Sequence, residues 1–140
     1  MDSSRSQLPT GVVTFLLTDI EGSTRLWERE PEAMRHALAR HDAVVNACVR
    51  RQQGHVVKSK GEGDSAFCVF THARDAINAA LVIQIALGME RWPTSTPIRV
   101  RMAIHTGEGE LRLGDYYGPA VNHCARLRPL PTLGRCLFRW

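Results

Sequence analysis

The chain has 140 residues, 44% of them apolar and 23% charged, which fits one ordinary globular domain with a real core. Its formal charge of +4 is confined to the end: residues 126–140 hold four arginines and no acid, while residues 1–125 carry 14 basic and 14 acidic side chains. The body therefore has no basic stripe, which argues against nucleic-acid binding, and no stretch is long and apolar enough to span a bilayer.

Residues 1–10 read as a flexible leader. They lack the apolar core of a signal peptide, so the four cysteines, with no CxxC pair among them, are expected to be free thiols in a reducing cytoplasm. GVVTFLLTDI, residues 11–20, is a β-branched and aromatic run bounded by glycine, hence a mostly buried strand. Pro31 suits a first helical turn, and Met34, Ala37, Leu38, His41, Val44, Val45 and Cys48 follow at three- and four-residue spacing. Gly54 is expected to close that helix. Residues 55–60 and 65–70 form a hairpin around KGEGDS, and 73–92 a second helix stopped by Pro93. IRVRMAIHT, 98–106, alternates outward arginines with apolar residues as a strand. ELRL, 110–113, is expected to be its hairpin partner, joined by GEG, and a third helix is expected from Pro119 to about Leu127. This order predicts an α+β fold, with helices on one face of a mainly antiparallel sheet.

Asp19 ends the first strand, where a buried carboxylate needs a partner. It either caps the turn or helix that follows or presents its oxygens to a hard cation such as magnesium. Asp64 sits at the hairpin between Gly63 and Ser65. If the hairpin lies beside the first strand, both carboxylates reach one sheet edge and repel unless a cation intervenes. The alternative is a solvated turn aspartate plus a capping one. Paired carboxylates on two metal ions are a device for in-line displacement at phosphorus. The glycines do not form a phosphate loop, because GxxxxGK[ST] is absent and a strand, not a helix, follows. Asn122 and Arg126 are four apart, on one face of a helix, and suit a sugar and a phosphate; an ordinary surface arginine and a cap-side asparagine would look the same. The six histidines show no HxxxH or HExxH spacing.

FLLTDIEGST, KGEGDS and DYYGPAVN-x-x-x-R, in that order, resemble the class III adenylate/guanylate cyclase catalytic domain in its bacterial, adenylate-type form. The resemblance implies a ferredoxin-like, palm-type fold. It also implies metal binding by Asp19 and Asp64 with the Ile20 carbonyl, purine reading by Lys60 and Asp115, and ribose and transition-state contacts from Asn122 and Arg126. Lys58 competes for the lysine role, but lies two residues too far from Asp64. Adenine offers an acceptor at N1 and a donor at its 6-amino group, matching donor-only Lys and acceptor-only Asp. Guanine reverses both groups and would leave each partner unpaired, at about 1–3 kcal/mol apiece. ATP is thus the implied substrate, two Mg²⁺ or Mn²⁺ ions the cofactors, and 3′,5′-cyclic AMP and pyrophosphate the products.

In the family, metal and purine residues of one site come from different subunits, so the implied partner is a second copy in a homodimer with shared sites. The resemblance covers 11–128 as the catalytic domain. PLPTLGRCLFRW, which follows Arg128, departs from the pattern, so 129–140 reads as an atypical basic tail and the domain as incomplete at its C-terminus. A catalytically weak or inactive nucleotide-binding or dimerisation module is the alternative function. A diguanylate cyclase is disfavoured, because KGEGDS stands where a GG[DE]EF-like turn would be.

Overall fold

The structure, a computed structural model, describes residues 8–57, 64–112, 115–117 and 136–139. Three helices, α1 (Ser23–Arg29), α2 (Pro31–Arg51) and α3 (Ala73–Met89), accompany six strands: β1 (Gly11–Ile20), β2 (His55–Val57), β3 (Ser65–Phe70), β4 (Val100–Arg112), β5 (Asp115–Tyr117) and β6 (Cys136–Arg139). The main sheet order is β2-β3-β1-β4-β5, and β6 also pairs with β4. Every pairing is antiparallel except β4 with β6. This is the palm-type α+β architecture implied by the sequence.

β1 is central and buried on both faces, every residue from Val13 to Thr18 lying in the interior. Its even positions, Leu16 and Ile20, join Cys68, Phe70, Met102 and Ile104 beneath α2 and α3. The helices meet them with Met34, Ala37, Val45 and Val49 from α2, and Ala76, Ala80 and Ile83 from α3. His41 lies in the same buried stripe of α2, its Nδ1 2.9 Å from Asp42 Oδ1. The odd positions, Val13, Phe15 and Leu17, form a second cluster with Val57, Val69, Ala103 and Tyr116. Here Phe15 stacks on Phe67 at 5.3 Å between centroids and meets Tyr116 edge-on at 5.2 Å.

Two local expectations are corrected. Gly107–Glu108–Gly109 is not a turn: β4 runs unbroken to Arg112, its glycines paired with Val13 and Gly11 of β1, and its partner strand is β5. Gly109 serves close approach, since a Cβ there would lie 2.7 Å from the Phe15 ring and 3.0 Å from that of Tyr116. At the end of α2 the left-handed residue is Gln53, with φ 63°, and Gly54 donates its N–H to the Val49 carbonyl at 2.9 Å. The expected helix 119–127 lies outside the described residues. Cys48 and Cys68 are buried free thiols, and burial pushes the Cys48 thiol pKa up, partly offset by the Arg51 charge. No helix among the described residues is long and apolar enough to cross a membrane.

Candidate active site

β1 delivers Asp19 to the sheet rim. Leu17 and Phe15, two and four residues earlier on the same face, are buried in the aromatic cluster, so the strand beneath Asp19 is held firmly. In register, Asp19 faces Ser65 of β3 on one side and Arg101 of β4 on the other. Asp64 immediately precedes Ser65. Asp19, Ile20, Asp64 and Arg101 all line one cleft of about 340 Å³, together with Arg25 and the start of α1. The structure thus brings both sequence-predicted aspartates to one rim. Two larger hollows, of about 550 and 630 Å³, lie at the ends of α3 and α2 and gather no carboxylate pair.

Asp19 is not the N-cap of α1; Gly22 is, in left-handed conformation. The carboxylate is instead held by Arg101, whose Nε donates to Oδ1 at 2.8 Å and whose Nη2 donates to Oδ2 at 2.7 Å. This bidentate fork is the strongest geometry available to the pair. Asp19 side-chain exposure is 15% and that of Arg101 25%, so solvent screens them incompletely. The hydrogen bond to Asp19 raises the Arg101 pKa above its ordinary value, against a smaller opposing effect of burial.

Arg101, expected only as an outward strand residue, makes a contact that the sequence alone does not show. Alternation tells which face a residue occupies, and Asp19 and Arg101 are 82 positions apart. Pairing strand 11–20 antiparallel with 98–106 would have been the signal.

Of the other predicted site residues, Asp115 begins β5 opposite Arg112. Lys60, Asn122 and Arg126 lie outside the described residues, as does Lys58. Among the described residues no group of three or more His, Cys, Asp and Glu side chains could hold a metal. The acidic side chains at the rim, Asp19 and Asp64, offer hard oxygens, and Ile20 lines the same cleft. That set fits magnesium or manganese, which complete their shells with water and phosphate, and does not fit a closed zinc site.

The family described as the adenylate and guanylate cyclase catalytic domain matches residues 6–135. The chain belongs to this class III cyclase family. An uncharacterised protein of Mycobacterium tuberculosis is 43% identical over 130 residues, spanning 93% of this chain and 43% of the relative. An adenylate cyclase of Podospora anserina is 33% identical over 144 residues, spanning 85% of this chain and 7% of the relative. The chain therefore spans less than half the length of these curated relatives. Among solved structures, adenylate cyclases from Trypanosoma brucei in their monomeric state superpose with a TM-score of 0.86 at 27% identity, over 99% of this chain and 77% of theirs.

Proposed function

We propose that the chain is the catalytic unit of an adenylate cyclase, converting ATP to 3′,5′-cyclic AMP and pyrophosphate at sites shared by two copies. The observation that carries this reading is the meeting of Asp19 and Asp64 in one cleft at the sheet rim. Adenylate cyclases among the relatives support the choice of ATP, as does the donor and acceptor pattern of Lys60 and Asp115.

In this reading Asp19, Asp64 and the Ile20 carbonyl would hold the divalent ions. Bound there, magnesium or manganese would acidify the ribose 3′-hydroxyl and screen the triphosphate. The hydroxyl gives its proton to water, its oxygen forms a bond to the α-phosphorus, and the bond from that phosphorus to the bridging oxygen breaks, so that pyrophosphate leaves with the electron pair. Lys60 donates to adenine N1 and Asp115 accepts from the 6-amino group. Asn122 orients the ribose, and Arg126 neutralises charge growing on the α-phosphoryl oxygens.

The test is direct. Purified protein with Mn²⁺ should form cyclic AMP from ATP and much less cyclic GMP from GTP. Asp19→Ala and Asn122→Ala should each be inactive, and mixing them should restore activity through one intact site per heterodimer. ATP binding without product by the folded protein would replace this reading with a non-catalytic module. Failure of the mixture to recover would remove the shared sites.

A further inference from the structure

Two carboxylates at one rim repel, and a protein that folds before meeting metal must relieve that repulsion by other means. Here the relief is visible. Arg101 lies directly across from Asp19 in the β1–β4 register and engages both of its oxygens, at 2.8 and 2.7 Å. With Arg25 also on the cleft wall, two guanidiniums balance the two carboxylates of Asp19 and Asp64.

The same contact has a consequence for metal loading. A divalent ion on Asp19 needs an oxygen lone pair and places a second cation beside the guanidinium. Both oxygens already accept a charged N–H, and neither side chain is fully solvated. Charge repulsion at such range is strong, so guanidinium and ion cannot share the carboxylate at full strength. Arg101 keeps a quarter of its side-chain surface exposed and borders the cleft, so its flexible stem has room to turn away.

We propose that Arg101 is an internal counter-ion that stands in for the metal: it holds Asp19 in the metal-free chain and is displaced when a divalent ion binds. This inference rests on the reading of Asp19 as a metal ligand. Arg101 thereby sets the metal affinity of the site and keeps the empty rim folded. It is a positioning residue, acting through Asp19.

The experiment is a calorimetric Mn²⁺ titration of nucleotide-free protein, comparing wild type, Arg101→Gln, Arg101→Lys and Asp19→Asn. Arg101→Gln should bind Mn²⁺ about tenfold more tightly than wild type, as removal of a competing partner requires. Arg101→Lys, which keeps the charge but loses the fork, should fall between them, and it carries the comparison if the glutamine variant does not fold. Thermal unfolding supplies a second readout. Arg101→Gln should melt below wild type without metal and regain more on adding Mn²⁺ than wild type does. A merely structural arginine would lower the melting temperature equally with and without Mn²⁺, and that result overturns the proposal. So does unchanged or weaker Mn²⁺ binding in Arg101→Gln while Asp19→Asn abolishes binding. If neither wild type nor Arg101→Gln binds Mn²⁺, the metal site itself is wrong and the counter-ion role falls with it.

Discussion

The two faces of the sheet do different work with the same strands. Toward α2 and α3, Leu16, Ile20, Met102 and Ile104 are buried in one apolar core. On the opposite face the composition grades along β1, from Val13 and Phe15 through Leu17 to Asp19. There the register delivers Arg101 and Ser65 as its lateral neighbours. Because side chains alternate, each strand serves both faces, and the packing of one side fixes the backbone that aims the other. Stability and chemistry should therefore separate by parity along a single strand.

Asp19→Asn and Leu16→Ala break or sharpen that contrast. Asp19→Asn should lower cyclase turnover by at least about a hundredfold, because the neutral amide is a poor ligand for a hard cation. It should shift unfolding by only about 1–2 kcal/mol, since the amide oxygen can still accept one of the two bonds that Arg101 donates to this mostly buried side chain. Steady-state kinetics beside denaturant unfolding would show both. Leu16→Ala, three residues away and fully buried, should reverse the pattern, losing about 2–5 kcal/mol through lost burial and a residual cavity. Its turnover per folded molecule should stay near wild type below its melting range. A Leu16 variant that lost turnover while keeping its stability would mean the two faces are not separable.

The elements that were legible in the sequence are those whose signal is repeated. β1, α2, α3 and the 55–70 hairpin each declare themselves through several apolar positions at one period, so no single residue had to be read correctly. The expected turn at GEG fails for the opposite reason. A glycine needed for a turn and one needed for close approach look identical locally, and only Phe15 and Tyr116, reaching Gly109 from other strands, distinguish them. Asp19 and Asp64 were readable as candidates because each sits at a strand boundary within a motif. Arg101 was not, because its importance lies in what faces it across the sheet.

The smallest expected effect lies within the aromatic face. Tyr116 is 3% exposed, and its hydroxyl donates to the Pro9 carbonyl at 2.6 Å. Burial pushes the phenol up to about 12 from its ordinary value of 10.0. A group whose folded pKa lies above its unfolded value favours the folded chain while protonated. The contribution is whole below about pH 10 and is lost as pH rises through about 12, because the unfolded chain gives up the proton first. Tyr116→Phe removes that titration and one hydrogen bond, while keeping the ring against Phe15. At neutral pH it should therefore cost about 1 kcal/mol. Between pH 10 and 12 the gap between wild type and variant should close and then change sign, as measured by urea unfolding at each pH, because a shift of this size outweighs about 1 kcal/mol. A gap that stayed constant across that window would mean that the phenol ionises as readily in the folded chain as in the unfolded one. The aromatic face would then admit water down to Tyr116, and the firm support it lends to Asp19 would have to come from the helix-covered side alone.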